Sequence, residues 1–220
     1  MLSFLTRLLF PPKCHFCRRI LNDNETDLCH SCRTNAPEFI RAKRSLHLIA
    51  HWTAVWYYKD DVRNSIRRFK FYNARGYADF FGRAIAMQIR ESSFPDNFDV
   101  LTWVPVSPLR RLTRGYDQSE LLAQALGKEL GMTPVPGIKK FRHTRPQSGI
   151  RNGAERRANV FNAYRGMNQA SFAGKRVLLV DDVITTGATA SECAKTLLVS
   201  GATHVYLATI AATPNHKSRR

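Results

Sequence analysis

Val177-Leu178-Leu179-Val180-Asp181-Asp182-Val183-Ile184-Thr185-Thr186-Gly187-Ala188-Thr189 decides how this chain is read. Four apolar residues predict a short buried strand, two carboxylates stand at its end, and a Thr/Gly loop opens a helix. Residues 188–200 carry helical spacing, with Ala190, Cys193, Ala194, Leu197 and Leu198 on one face and Gly201 as a stop signal. A loop of small and hydroxylated residues at a helix start presents backbone N–H groups and the positive end of the dipole, which suits a phosphate. Two carboxylates beside such a cradle would repel the phosphate itself. They fit sugar hydroxyls, or a divalent cation brought in by the ligand. The plainer alternative is an ordinary strand–loop–helix unit whose acids cap the helix. The unbroken order of strand, acid pair and loop favours the ligand site.

Upstream, Phe98–Val106 predicts a second strand, apolar enough to be buried on both faces. It runs into an irregular loop with Pro105, Pro108, Arg110, Arg111 and Arg114, and then a helix over 119–130 that stops at Gly131. In form this is a second ligand loop. Between Lys139 and Arg165 lie eight basic residues and one acid, Glu155. The Gly and polar content around Pro146–Gly153 reads either as a mobile loop that closes over a phosphorylated ligand or as a solvated hairpin. His204–Ala211 predicts the last strand.

Towards the N-terminus, 53–58 reads as a strand, and helices are expected from Asp60 to about Phe69 and from Tyr77 to Arg90. Between them Arg67, Arg68, Lys70 and Arg75 alternate with aromatics, as on surfaces that bind single-stranded nucleic acid. Taken alone, this stretch reads more simply as the end of an amphipathic helix. Cys14, Cys17, Cys29 and Cys32 form C-x2-C-x11-C-x2-C, a spacing that favours structural Zn²⁺ over an iron–sulfur or redox role. About 35 residues cannot build a core of their own, so the metal would supply folding energy. His15 and His30 are surplus to a four-cysteine site and are expected to be exposed. Cys193 is expected to be a buried core thiol.

With 220 residues, the chain can bury one α/β core and a small appendage. Its 34 basic against 17 acidic residues give a net charge of +17, which favours an anionic partner without naming it. No apolar run reaches the roughly 20 residues that span a bilayer. The stretch 1–10 is interrupted by Arg7 and lacks a cleavage site, so no signal peptide and a cytoplasmic location are expected.

The acid-pair loop closely resembles the phosphoribosyl pyrophosphate (PRPP) loop of type I phosphoribosyltransferases. That resemblance implies that Asp181 and Asp182 hold the ribose hydroxyls, while Thr185, Thr186, Gly187, Ala188 and Thr189 wrap the 5′-phosphate. It makes Val106, Ser107, Arg110, Arg111 and Arg114 a pyrophosphate loop, with Mg²⁺ arriving alongside PRPP. Phe10-Pro11-Pro12 before the cysteines, Phe69-Lys70-Phe71, Val104-Pro105-Val106, Arg114-Gly115-Tyr116-Asp117-Gln118, Thr144-x-x-Gln147 and Arg156-x-x-Asn159 extend the likeness. Together they resemble the ComF family, phosphoribosyltransferase-like proteins linked to bacterial competence. Gln147, Arg156 and Asn159 then belong to a flexible loop. Asp117 departs from the family's usual Asn, and a carboxylate there must face away from pyrophosphate or weaken its binding.

The resemblance implies a type I phosphoribosyltransferase-like α/β fold, with a parallel sheet flanked by helices and an N-terminal zinc knuckle. The expected division is residues 1–45, 46–214 and a basic tail, 215–220. The implied role is DNA uptake during natural transformation, with ribose phosphate and single-stranded DNA as ligands. Other competence proteins at the cytoplasmic face of the membrane are possible partners. The alternative is an active phosphoribosyltransferase of nucleotide or cofactor metabolism. Oxopurine salvage is disfavoured, because enzymes of that kind carry an Asp where this chain has Thr185. No segment for a specific base pocket is evident.

Overall fold

The computed structural model describes residues 10–40, 45–72, 74–142, 144, 153–167 and 169–214, with the backbone alone at 153 and 156. The apolar runs form the strands β1 (His51–Tyr57), β2 (Val100–Trp103), β5 (Arg176–Ile184) and β6 (His204–Ala212). They make one parallel sheet in the order β1-β6-β5-β2. β5 lies inside it, with Val177 opposite Val100 and Ile184 opposite Ala212. Its side chains alternate between two cores. Leu178 and Val180 join one cluster, and Val177 and Leu179 the other.

Helices α2 (Asp60–Phe71), α3 (Tyr77–Glu91) and α5 (Gln118–Leu130) supply the first core. α3 and α5 approach closely because Gly82 has no side chain. A Cβ there would meet that of Ala125 at 2.7 Å. α7 (Ala188–Val199) and the ribbon of β3 (Ile138–Lys140) with β4 (Tyr164–Gly166) cover the other face. The layers are those the sequence predicts: helices on both sides of a parallel sheet, with a four-cysteine segment, which carries the short α1 (His30–Thr34), before it.

Three boundaries differ from the sequence expectation. β5 does not end at Val180 but runs through both acids to Ile184, because β6 continues opposite it, with Asp181 facing Thr209 and Val183 facing Ala211. β2 is shorter than 98–106. Val104 N–H still bonds Val180 O at 2.9 Å, but Pro105 has no N–H with which to continue. The Arg-rich loop after it is not irregular: α4 (Pro108–Arg114) forms there, with Pro108 in its first turn and Gly115 at φ +75° closing it. In the basic stretch 139–165 an antiparallel ribbon brackets α6 (Gly153–Val160).

Candidate functional site: an acid-pair cavity and a four-cysteine centre

The acid pair, the Thr/Gly loop and the start of α7 line one cavity of about 490 Å³ at the C-terminal ends of the strands. This is where open α/β sheets place ligands. Gly187 makes the turn from β5 into α7 at φ +82°, and a Cβ on it would come within 2.5 Å of Leu46 Cδ2. The positive φ is what calls for glycine here; a Cβ would in addition push the tip of Leu46 aside. The hydroxyl of Thr186 accepts from Ala188 N–H at 3.4 Å, and Thr213 N–H bonds Ile184 O at 2.9 Å, which fix the loop.

The two carboxylates are held differently. Asp181 Oδ1 accepts from Ser119 Oγ at 3.2 Å and from the Asp182 N–H at 2.8 Å. Burial, then the neighbouring charge of Asp182, pushes its pKa up to about 8, against the pull of Lys70. Asp182 Oδ2 pairs with Lys70 Nζ at 2.9 Å, both side chains being largely buried. The pair is thus one restrained acid with a raised affinity for its proton and one acid bound to a cation.

All seven residues expected to hold ribose and phosphate line the cavity, joined by Val106, Arg110 and Arg114 from the expected pyrophosphate loop. Arg110 donates to Thr144 O at 3.2 Å, and Arg114 to Gln118 Oε1 at 2.7 Å. Burial lowers the Arg114 pKa. Ser107 is buried, and its hydroxyl has no hydrogen-bond partner among the described residues. Arg111 points outward to Glu120 at 3.2 Å. Asp117 faces away from the cavity. Its carboxylate caps α5 through Ser119 and Glu120 N–H and accepts from Val106 N–H at 2.9 Å. Of the expected flexible-loop residues, Asn159 is half-buried. Gln147 and the side chain of Arg156 lie outside the described residues.

The four cations expected on a nucleic-acid surface separate. Arg67 is exposed. Arg68 turns into the cysteine segment, donating to the backbone oxygens of His15 and Phe16 and to the Tyr77 hydroxyl. Lys70 enters the cavity. Arg75 is exposed, 5.0 Å above the Tyr116 ring. The alternation of cations and aromatics over 67–72 has a packing cause, since Phe69 is wholly buried and its carbonyl accepts from the Tyr116 hydroxyl.

The sequence reading missed Tyr58, Phe71, Lys140 and Tyr164 on the cavity wall. Lys140 is buried, 5.1 Å from the Tyr164 ring centroid. Burial, then Arg110, draws its pKa down to about 8. Within Ile138-Lys139-Lys140 nothing distinguishes it from a solvated lysine. Only pairing with β4 turns it inward.

The Sγ atoms of Cys14, Cys17, Cys29 and Cys32 all lie within 4.8 Å of one another. Cys17 and Cys29 are 3.7 Å apart. A tetrahedral zinc with Zn–S bonds of about 2.3 Å sets its sulfurs roughly 3.8 Å apart, so the donor set fits structural zinc. The segment shares its core with the larger fold: Phe16 packs edge-on against Trp56 at 5.1 Å and Phe80 at 5.8 Å. His30 is exposed as expected, but His15 is not. It stacks on Phe80 at 4.7 Å and bonds Asp27 O at 2.9 Å.

Residues 82–220 match the family model described as phosphoribosyl transferase domain. The chain belongs to that family. Residues 5–44 match the model of the double zinc ribbon domain, in keeping with structural zinc at the cysteines. "Competence protein F" of Haemophilus influenzae is 32% identical over 148 residues, which cover 65% of this chain and 64% of that protein, just under two thirds of its length. "DNA utilization protein YhgH" of Escherichia coli O157:H7 is 29% identical over 200 residues, 87% of this chain and 86% of that one. The resemblance to the ComF family is borne out by these relatives. Among solved structures, an allosteric regulatory enzyme of purine biosynthesis aligns over 65% of this chain and 29% of its own, at 22% identity and a TM-score of 0.44. No helix among the described residues is long and apolar enough to cross a membrane.

Proposed function

We propose that this protein binds PRPP or a related ribose phosphate, together with single-stranded DNA, and acts in DNA uptake during natural transformation in the cytoplasm. One observation carries the ligand: acid pair, Thr/Gly loop and two inward arginines line a single cavity. In this reading Asp181 and Asp182 take the ribose hydroxyls, residues 185–189 the 5′-phosphate, and Arg110 and Arg114 the pyrophosphate. Mg²⁺ would accompany the pyrophosphate and offset its charge. The zinc-binding segment is taken as residues 1–45 and the phosphoribosyltransferase-like domain as 46–214.

The DNA arm rests on the +17 net charge and on the relatives' names, competence protein and DNA utilization protein. Charge of that size attracts any polyanion by counterion release. Isothermal titration with PRPP and Mg²⁺, with and without a short oligonucleotide, tests both ligands in one preparation. PRPP binding that Asp182→Asn weakens at least tenfold, and oligonucleotide affinity that falls steeply with salt, are expected. Absence of PRPP and ribose 5-phosphate binding at millimolar ligand would sink the ribose-phosphate reading.

A further inference from the structure

The cations around α2 that the sequence assigned to nucleic acid do not share a surface, but two other pairs of cation and aromatic do. Phe141, just past the end of β3, is 45% exposed, and the Arg165 guanidinium of β4 lies 4.1 Å from its ring centroid. Phe161, just past the end of α6, is 57% exposed, and Lys195 Nζ of α7 lies 5.2 Å from its centroid. The two phenylalanines sit on adjoining segments. Phe141 N–H bonds Ala163 O at 3.1 Å, and the next side chain, Arg142, donates to Phe161 O at 2.6 Å and to Asn159 O at 3.2 Å. One exposed phenylalanine is ordinary. Two on adjoining segments, each with a cation against its ring, are more than scattered surface residues.

The positive charge beside these rings is uncompensated. β3 and β4 set Lys139 directly opposite Arg165, and like charges in that register repel. Lys139, Arg165 and Lys195 are exposed and form no ion pair with a carboxylate among the described residues. Glu192, the acid nearest to Lys195 in sequence, accepts instead from the Asn162 N–H at 2.8 Å. An anion laid over the ribbon would relieve the repulsion.

We propose that Phe141 and Phe161, with Lys139, Arg165 and Lys195 beside them, form a track for single-stranded nucleic acid. Bases stack on the rings and phosphates meet the cations. This locates the DNA arm of the reading above and rests on it. The rings favour a nucleic acid over an acidic protein, because every base has a flat π-face to lay on them, whereas a chain of carboxylates uses the cations alone. They favour an unpaired strand, because a duplex keeps its base faces stacked on one another.

The test is fluorescence anisotropy of labelled decathymidylate, and of an abasic decamer with the same phosphates, on the full chain and on its Phe141→Ala, Phe161→Ala and Phe161→Trp variants. One base–aromatic stack corresponds to about 5- to 150-fold in affinity. The parent is expected to prefer decathymidylate to the abasic strand by at least about fivefold. Each alanine variant should lose at least about fivefold on decathymidylate, and Phe161→Trp should keep the parent's affinity. Arg165→Gln should lower the slope of log affinity against log salt by about 0.7. Alanine variants that bind as the parent does, equal affinity for the abasic strand, or an unchanged slope in Arg165→Gln overturn the track and leave the DNA arm standing. A parent that binds no oligonucleotide overturns the DNA arm, and the track with it. Decaglutamate bound as tightly as decathymidylate overturns the choice of nucleic acid and makes this surface a site for an acidic protein.

Discussion

Replacing Asp181 with Asn should stabilise the protein, and more so as pH rises. In the folded chain burial and Asp182 push the Asp181 pKa up to about 8, against 3.8 for an ordinary Asp. Between those values the native state holds a proton that the unfolded chain has released. Stability is then fully present below about pH 4 and drains away as pH climbs towards 8, by about 1.4 kcal/mol per unit. From pH 5 to 7.5 the full loss is about 3 kcal/mol. Asp181 keeps part of its surface on the cavity, and water there supports the charged form. About half, roughly 2 kcal/mol, is the figure to expect. Asn is isosteric, and its Oδ1 can still accept from Ser119 Oγ and the Asp182 N–H. A chain of this size gains about 2–4 °C in Tm per kcal/mol. The Tm advantage of Asp181→Asn over the parent should thus widen by about 4–8 °C between pH 5 and 7.5 in differential scanning fluorimetry. An advantage that stays level or narrows across that window refutes the reasoning.

Three further outcomes follow from the same geometry. Asp117→Ala removes the cap of α5 and leaves Val106 N–H without its partner; the cost should be about 2–4 kcal/mol in urea denaturation. Gly187→Ala places a Cβ against Leu46 at a φ that L-residues resist, and should cost at least about 1–3 kcal/mol while weakening phosphate-ligand binding in titration calorimetry. Arg68→Ala frees the carbonyls of His15 and Phe16, so bound zinc should be lost faster to a chromogenic chelator than in Arg67→Ala, whose side chain is exposed in the parent.

The parallel sheet and its ligand loop were legible because both signals are local. A strand buried on both faces must be apolar throughout, and a phosphate loop must be small, hydroxylated and joined to a helix. The end of β5 was misplaced because acids read as a strand stop, whereas here β6 runs opposite them and the ladder continues through Val183 and Ile184. α4 was hidden by its own start signal: Pro108 reads as a loop residue unless it is placed in a first helical turn. Lys140, Phe71 and Tyr58 carry no local signal, because they reach the cavity only when β3 pairs with β4 and when the end of α2 meets Asp182 through Lys70. Of the two surplus histidines, His30 is solvated as its loop position implies, but His15 meets Tyr77 and Phe80 of α3, more than 60 residues away in sequence, which no spacing rule reports.

The run Arg68-Phe69-Lys70-Phe71 ties the four-cysteine segment to the cavity that holds the acid pair. Successive side chains at the end of one helix point in different directions, about 100° apart. Arg68 reaches back to the carbonyls between Cys14 and Cys17, Phe69 anchors in the core under Tyr116, Lys70 neutralises Asp182, and Phe71 meets Arg114. The cysteine segment leans on α3 and Trp56, and through Arg68 it also braces the helix that delivers Lys70. A lysine from elsewhere could neutralise Asp182 equally well by charge alone. This one is fixed in position by a neighbour bound to the knuckle, which makes the metal segment part of the frame that sets the geometry of the acid pair.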